Sequence, residues 1–523
     1  MGLARRSALQ GTAALGLLGP RPARTQAPAS PVPLGLQRVV DRLPELDQLV
    51  EELLQRTAVP GLSVAVVHRD RVVHLRGYGV RQVGRPELVD ADTVFQLASL
   101  SKPVATTVVA ALVGDGLVAW DDPVVRHDPD FALHDAWTAR AVTLRDMFAH
   151  RSGLPEHAGD ALEDLGYDRA KILHRLRHVR PSGSFRSRYA YTNFGFTAAA
   201  IAAARAAGRS WEDLSTERLY RPLGMMRTSS RFADFQTAPN RAAGHVRRDG
   251  TGWVPGPVRD PDAQSPAGGL SSTARDMAAW LRLQIGRGTV NGAEFVKAAE
   301  LDETHRPQIV SAPPGDPGRD RSGFYGLGWN VGQDDVGRVL WNHSGAFNLG
   351  AATSVHVLPV EQLGIFAFTN AQPIGVPEVV CRSFLDLVTA GRVTRDWLAL
   401  FGGLFSRMAA PDYGTAVDYA RPPQHPSSPL PVASYAGIYR NDLFGEVEVA
   451  GSKAGLAMWF GPRRNVFPLQ HFDRDVFTYQ PVGEGAYGPS AVAFAMGADR
   501  KAVSVAVEVL NTTGQGRFER VGS

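Results

Sequence analysis

The sequence predicts an α+β protein, with an antiparallel sheet flanked by helices, a helical subdomain, and a small all-β barrel at the C-terminal end. Two β-rich runs near the start, Leu62 to His68 and Val72 to Tyr78, flank a short polar connection and indicate a hairpin. Strand-type runs return only after about two hundred residues of mainly helical pattern. The chain therefore starts a sheet, leaves it for a helical excursion, and returns to complete it.

The predicted helices follow from apolar residues spaced three and four apart. An amphipathic helix from Leu43 to Arg56 precedes the hairpin, and a second helix follows Ser99 and ends near Gly114. The helical excursion includes the segments Thr143 to Phe148, Arg169 to Leu176, Phe196 to Ala207 and Ala274 to Ile285. A last stretch, Val376 to Met408, predicts one or two helices that cover the sheet.

The later strands are predicted from short runs of β-branched and aromatic residues. Those that complete the sheet are Gly328 to Val331, Val339 to Ser344, Ala352 to Leu358 and Leu363 to Thr369. The last ninety or so residues contain six further runs separated by Gly, Asp and Asn, which is typical of a small antiparallel barrel. These runs are Tyr435 to Arg440, Glu446 to Val449, Leu456 to Phe460, Asp475 to Gln480, Ala491 to Ala495 and Val503 to Leu510.

Four segments follow from these patterns: an export signal in residues 1–30, a main domain in 31–410, a proline-rich linker in 411–431 and a β domain in 432–523. Arg5 and Arg6 precede a mildly apolar stretch, which is typical of the twin-arginine export route. We therefore expect a periplasmic or secreted protein. A disordered N-terminus is the alternative.

Composition excludes several classes of function. The chain has 523 residues, 44% of them hydrophobic, and a net charge of +4 with its cations scattered among acids, so nothing indicates nucleic-acid binding. No later run reaches the roughly 18 apolar residues of a membrane span. The single cysteine, Cys381, excludes an internal disulfide and a cysteine-built zinc site, and its amphipathic surroundings predict a buried, inert thiol. We expect no metal and no cofactor.

Ser99 and Lys102 are the first candidate catalytic residues. Their spacing of three places both side chains on one face of a helix, where an amine of lowered pKa can take the proton of a hydroxyl. Only five of the 56 basic residues are lysines, and an arginine in this position would stay charged at any working pH. The pair therefore favours nucleophilic catalysis. An exposed lysine beside a capping serine is the alternative at this point.

Two later stretches supply further candidates. Tyr191 and Asn193 lie just before a predicted helix, and we expect nearby positive charge to lower the pKa of the phenol, so that it acts as base and then acid. A packed core tyrosine is the alternative. The second stretch lies on a predicted strand or ends it, and its small residues allow a substrate backbone to lie against the strand edge. It consists of His343, Ser344, Gly345 and Ala346.

In this order the three motifs resemble those of the serine β-lactamase and penicillin-binding-protein superfamily, in its class C, low-molecular-weight DD-peptidase and esterase-like branch. The motifs are Ser99-Leu100-Ser101-Lys102, Tyr191-Thr192-Asn193 and His343-Ser344-Gly345. Four flanking segments agree with that branch: Leu144 to Pro155, Pro222 to Met225, Gly268 to Ser272 and Tyr325 to Trp329. The resemblance covers about residues 40 to 390. The C-terminal β domain more loosely resembles the lipocalin-like barrel appended to some of these peptidases.

The resemblance implies that Ser99 is acylated, that Lys102 and Tyr191 transfer protons, and that Asn193 contacts a substrate amide. It also implies an oxyanion hole made by the backbone N–H groups of Ser99 and Ala346. His343 replaces the lysine of the commonest third motif, so a substrate carboxylate would meet full positive charge only below about pH 6.5.

The expected function is therefore that of a serine hydrolase acting on an amide or ester of a small molecule or peptide, of peptidase, amidase or esterase type. A true β-lactamase and a catalytically silent protein that binds cell-wall peptides are the alternatives. A homo-oligomer is left open.

Overall fold

An eight-stranded antiparallel sheet forms the centre of the main domain. The structure is a computed structural model that describes residues 34–248, 252–453 and 455–522, so the predicted export signal lies outside the described residues. The strands are β1 (Gly61–His68), β2 (Arg71–Gly79), β3 (Ile309–Ala312), β4 (Gly323–Tyr325), β5 (Asn330–Gln333), β6 (Val339–Phe347), β7 (Ala351–Leu358) and β8 (Leu363–Thr369). Their order is β2-β1-β8-β7-β6-β5-β4-β3, which joins the early hairpin to the late strands as predicted.

Six longer helices surround this sheet or form the centre of the helical subdomain. They are α1 (Leu43–Thr57), α2 (Ser101–Gly114), α3 (Asn193–Ala206), α4 (Ala274–Ile285), α5 (Val376–Ala390) and α6 (Trp397–Met408). The shorter helices are Leu36–Val40, Val124–His127, Ala136–Ala141, Leu144–Phe148, Asp160–Asp164, Arg169–Arg175, Trp211–Ser215, Phe232–Thr237, Ser265–Gly268, Ala298–Thr304 and Val432–Tyr435. Single 3-10 turns lie at Ala98–Leu100, Leu176–His178, Asp262–Gln264 and Glu508–Leu510, and a π-helical turn lies at Thr216–Tyr220.

The two faces of the sheet belong to different hydrophobic cores because successive side chains of a strand point to opposite sides. Val64 and Val66 of β1 pack with residues of α1 and α5. Ala65 and Val67 pack with residues of α2, α3 and α4 on the other face. The central helix α2 is buried from Ser101 to Leu112, which explains why its sequence is apolar on every side.

The C-terminal residues form a nearly closed antiparallel barrel of nine strands. They are β9 (Gly437–Asn441), β10 (Gly445–Ser452), β11 (Gly455–Phe460), β12 (Asn465–Pro468), β13 (Gln470–Asp473), β14 (Val476–Tyr479), β15 (Ser490–Met496), β16 (Ala502–Val507) and β17 (Arg517–Arg520). The sheet order runs from β12 through β9, β17 and β15 to β13, so the two open edges belong to strands that are consecutive in the chain. The buried side chains of Tyr439, Met458 and Phe518 help to fill the interior.

The barrel packs against the helical subdomain. Tyr167 donates its hydroxyl proton to the carbonyl of Phe444 (2.9 Å), and Arg175 bonds the carbonyl of Leu443 (2.8 Å). Leu165 belongs to the same continuous core as Leu443 and Phe444. Residues 33–523 form a single unit by their contacts, and the domain boundaries predicted within it stay predictions.

Three short ribbons complete the fold outside the two sheets. Phe95–Gln96 pairs with Ser271–Ser272, His245–Arg248 with Gly252–Pro255, and Thr289–Val290 with Ala293–Glu294. The first of these ribbons matters for the site, because it holds the chain immediately before Ser99.

Candidate active site

Ser99 lies in the 3-10 turn Ala98–Leu100, directly before α2. Ala98 has a φ of +48°, a conformation that costs a non-glycine residue about 1–3 kcal/mol and is concentrated at functional sites. The Ser101 hydroxyl holds the turn, because it donates to the carbonyl of Ala98 (2.6 Å) and accepts from the N–H of Leu270 (3.0 Å). The chain thus presents Ser99 in a fixed, strained turn at the start of a buried helix.

Lys102 is fully buried, and its Nζ has three polar neighbours. The carbonyl oxygens of Asn193 (2.7 Å) and Ala267 (2.9 Å) can only accept hydrogen bonds, and the Oγ of Ser99 lies 3.1 Å away. A neutral amine has two N–H donors and one lone pair. In the neutral form of the amine, the two carbonyl oxygens can take both donors, which leaves the lone pair for the hydroxyl of Ser99.

Burial is the main cause of the lowered pKa of the Lys102 amine. Transfer away from water disfavours its charged form and lowers its pKa well below the usual value. The carboxylate of Asp160 acts in the opposite direction, and the guanidinium of Arg259 lowers the pKa further. The predicted lowering of this pKa therefore comes chiefly from desolvation, with a neighbouring cation adding to it.

Tyr191 donates its hydroxyl proton to Ser99 Oγ at 2.7 Å. Its ring lies 4.4 Å from Lys102 Nζ and 4.5 Å from the imidazole of His150. Burial raises the pKa of the Tyr191 phenol, so the expectation that nearby charge lowers it is wrong. In this structure Tyr191 is therefore a protonated phenol that donates to Ser99.

Asn193 is the first residue of α3, and both ends of its side chain are engaged. Its oxygen accepts from Lys102, and its nitrogen donates to Asp160 (2.9 Å). The same Asp160 oxygen lies 2.9 Å from His157 Nδ1. Asn193 therefore orients the lysine in this structure, and its predicted contact with a substrate amide stays a prediction.

Strand β6 brings the third motif to the nucleophile. Gly345 packs against the turn so closely that a Cβ there would lie 2.3 Å from the carbonyl oxygen of Leu97 and 2.4 Å from the hydroxyl of Thr353. Strand β5 pairs with β6 only as far as Asn342. In the described part of the chain no strand pairs with the other side of residues 343–347, so this edge is open beside Ser99.

His343 is buried, with 3% of its surface exposed. Its Nε2 accepts from the hydroxyl of Tyr325 (2.9 Å), and its Nδ1 donates to the carbonyl of Ser344 (2.8 Å). Burial and the nearby Lys102 lower the pKa of His343 to about 3. The expectation that it is charged below about pH 6.5 is therefore wrong, because the ring is desolvated and both nitrogens are satisfied as a neutral imidazole.

The sequence analysis did not identify four residues that shape this site: Ala267, Asp160, Arg259 and Glu484. Ala267 immediately precedes the Gly268-Gly269-Leu270 segment, which was the available signal for it. The other three bear ordinary charges at positions without a motif, and only the fold brings them together.

Fold and site together place a buried lysine and a tyrosine on the hydroxyl of Ser99, with an open sheet edge beside it. The chain belongs to the Beta-lactamase family, whose model matches residues 46–389. A model described as a domain of unknown function, DUF3471, matches residues 421–520.

Relatives of known name fit this assignment. The chain is 24% identical to unguisins hydrolase ungD' of Aspergillus campestris over 86% of each chain. It is 28% identical to penicillin-binding protein 4 of Amycolatopsis lactamdurans, over 73% of this chain and 94% of that protein. The octameric penicillin-binding protein homologue from Pyrococcus abyssi has the same fold, with a TM-score of 0.60 and 18% identity over 91% of this chain and 99% of its own.

Cys381 is buried, and burial raises the pKa of its thiol well above the usual range. Within the described ranges, no group of three or more His, Cys, Asp or Glu side chains is arranged to hold a metal ion. None of the helices that the structure describes is long and apolar enough to cross a membrane.

Proposed function

We propose that the protein is a serine hydrolase that cleaves an amide or ester bond through an acyl-enzyme on Ser99. The observation that carries the proposal is the environment of Lys102, whose buried Nζ lies 3.1 Å from Ser99 Oγ and within hydrogen-bond distance of two acceptor-only oxygens, with its pKa lowered by burial. This is the arrangement that general-base activation of a serine requires.

In the first step, Ser99 Oγ attacks the substrate carbonyl carbon while its proton moves to Lys102 Nζ. The negative charge that develops on the carbonyl oxygen is stabilised by the backbone N–H groups of Ser99 and Ala346. Tyr191 then gives its hydroxyl proton to the leaving atom and recovers a proton from Lys102. The bond to the leaving group breaks, and the acyl group stays on Ser99.

In the second step, water attacks the acyl carbonyl, and its proton moves through the same pair of side chains. Ser99 leaves with a proton, and the acid is released. Lys102 and Tyr191 thus end each cycle in the protonation states in which they began.

A β-lactamase is the runner-up, and the family match favours it. The neutral, buried His343 offers no cation to the carboxylate of a penicillin, so we place amides and esters before β-lactams. Penicillin hydrolysis that outpaces the hydrolysis of simple esters would reverse this order.

Mass spectrometry of protein treated with a fluorophosphonate tests the mechanism directly. We expect one adduct, located on Ser99, and loss of both the adduct and p-nitrophenyl ester hydrolysis in Ser99→Ala with little change in Tm. Ser187→Ala, which removes an exposed hydroxyl, is the matched control. Turnover near the wild-type rate in Ser99→Ala would refute the mechanism and favour a different nucleophile, whereas a wild-type protein with neither adduct nor turnover would favour the silent binding protein.

Two further proposals concern the location and the oligomeric state of the protein rather than its active site. Export to the periplasm or medium rests on the paired arginines and the apolar stretch that follows them, and fractionation of cells that express the full chain tests it. A homo-oligomer is proposed because the structural neighbour from Pyrococcus abyssi is octameric, and light scattering of the purified protein tests it.

A further inference from the structure

A loop of the C-terminal barrel touches the end of the open β6 edge. This loop, residues 482–488, connects β14 to β15, and we name it the 482–488 loop. Asn348, the first residue after β6, donates its backbone N–H to Glu484 Oε2 (2.6 Å). Its side-chain nitrogen donates to the carbonyl of Glu484 (3.0 Å) and the hydroxyl of Tyr487 (2.7 Å). Asn348 is therefore bound to the loop by three hydrogen bonds.

The loop is also held against the helical subdomain. Asp164 accepts the backbone N–H groups of Glu484 (3.1 Å) and Gly485 (3.3 Å). Gly483 has a φ of +99°, and a Cβ there would lie 2.1 Å from an oxygen of Asp164, so the approach requires glycine. This anchoring fixes the loop in position relative to the main domain.

Arg259 joins the loop to the surroundings of Ser99. Its guanidinium binds Glu163 (2.7 Å) and Glu484 (2.9 Å) and lies 4.3 Å over the ring of Phe347, the last residue of β6. The backbone carbonyl of Arg259 accepts from Gln96, three residues before the nucleophile. The carboxylate of Glu484 thus fixes the guanidinium of Arg259, which packs on Phe347 at the end of the open edge.

The direction of a bound substrate follows from the proton donor. Tyr191, which protonates the leaving atom, has its ring 6.5 Å from that of His343, so the leaving group lies toward the His343 end of the edge. The acyl part then runs the other way, past Ala346 toward Phe347.

The next backbone N–H group on this edge, that of Asn348, already has a hydrogen-bond partner. Residues two apart in a strand direct their N–H groups to the same side, so the N–H of Asn348 follows that of Ala346 after about 7 Å. Glu484 already accepts that N–H. An acyl chain paired with the edge therefore meets the 482–488 loop after about two residues, at a spacing of about 3.3 Å each.

We propose that the 482–488 loop closes the acyl end of the cleft, so that the enzyme takes acyl groups of up to about two residues, with Glu484 as the specificity-determining residue that positions the loop. This inference rests on the proposed function and narrows its substrate class to amides and esters with a short acyl part. The C-terminal barrel then contributes directly to substrate selection.

Glycine p-nitroanilides with one to four glycines test the proposal, since glycine is achiral and adds length alone. For the full-length wild-type protein we expect kcat/KM to fall about tenfold or more between two and three glycines, chiefly through KM. In Glu484→Ala this fall should shrink to about threefold or less. Glu484→Gln keeps an oxygen for Asn348 and should retain the wild-type dependence.

Glu519→Gln, which changes an exposed barrel carboxylate paired with Arg517, controls for a general effect of lost charge and should match the wild type. If Glu484→Ala does not fold, Glu484→Ser takes the same measurement. A wild-type enzyme without a length limit, or a limit unchanged in the alanine or serine variant, overturns the proposal. Failure of the proposed function itself would appear separately, as the absence of a fluorophosphonate adduct on Ser99.

Discussion

Lys102 illustrates how one buried side chain sets the chemistry of this site. The charged form of its amine is disfavoured because the side chain is buried away from water. Its N–H donors meet the carbonyl oxygens of Asn193 and Ala267, which can only accept hydrogen bonds. Lys171, by contrast, is exposed to solvent. The proposed role of Lys102 as a base therefore depends on its environment and not on the residue type alone.

Replacing Lys102 by arginine keeps a positive charge and removes the ability to accept a proton, because a guanidinium stays protonated. We expect Lys102→Arg to lower kcat/KM for a p-nitrophenyl ester by about 10³-fold or more. Lys171→Arg should match the wild type. An arginine variant with near-normal activity would mean that position 102 supplies only a fixed charge.

His343 should not titrate in the working range of the enzyme. Its pKa is lowered to about 3, below the ordinary value, so the ring stays neutral as the pH falls through 6.5 and gains charge only near the folded-state value. We expect an anionic peptide and a neutral ester to give parallel kcat/KM profiles between about pH 5 and pH 8. An increase below about pH 6.5 for the anionic substrate alone, lost in His343→Gln, would show a charged imidazole in the complex.

At this scale the sequence predicts the residues that a short spacing or a motif marks, and it misses distant residues that no motif marks. Ser99 and Lys102 are three residues apart, so helix geometry alone brings them together. Asp160, Arg259 and Glu484 meet the site only after the helical subdomain and the barrel have packed. The directions in which the pKa values of Tyr191 and His343 shift depend on burial, which a single sequence does not reveal.

Among the elements, β6 can lie beside Ser99 because the residue that faces the Ser99 turn, Gly345, has no side chain. The Cβ of an alanine at Gly345 would overlap both the carbonyl of Leu97 and the hydroxyl of Thr353, and these groups belong to the turn and to β7. The strand and the Ser99 turn can therefore approach this closely only with glycine at that position.

Gly345→Ala should push β6 away from the turn. We expect a loss of about 1–3 kcal/mol in the free energy of unfolding and a fall in kcat/KM of about 10²-fold, measured by chemical denaturation and ester hydrolysis. Gly332→Ala is the matched control, because that glycine lies in β5 with no atom within 4 Å of its added Cβ. Equal behaviour of the two variants would contradict this account of β6.

The predicted elements agree best where periodicity is long. The helix Ala274–Ile285 and the strand Leu363–Thr369 have the predicted bounds. Five strands of the two large sheets went unpredicted, namely Ile309–Ala312, Gly323–Tyr325, Asn465–Pro468, Gln470–Asp473 and Arg517–Arg520, as did the strands of the three short ribbons. Each of the five has only three or four residues and borders on loops, so alternation is too short to detect, and pairing with neighbours decides its conformation.

For the whole molecule, the contact between the main domain and the barrel bears on stability. Leu165 on one side and Phe444 on the other belong to a single apolar core, and charged side chains bond across the boundary. A chain that stops at Pro423 would expose this surface to water.

We expect that truncated chain to fold with a Tm lower by about 5 °C or more and to retain the fluorophosphonate adduct on Ser99. Its nucleophile should still react, because the side chains that contact Ser99 Oγ are Lys102 and Tyr191. Thermal denaturation of both chains measures the first effect. An unchanged Tm would mean that the two parts associate weakly.

The hydrogen bond between Asn348 and Glu484 also has a consequence for the evolution of substrate specificity in such enzymes. The residues around Ser99 that are proposed to cleave the substrate and the 482–488 loop that is proposed to limit its length are encoded in separate stretches of the gene. Either can therefore vary while the other is kept. Exchange of the 3′ end between related genes, or small insertions in the 482–488 loop, would then change the substrate specificity of the descendant enzymes without a change in the residues around Ser99. Lineages of such enzymes should differ most in length and charge around position 484.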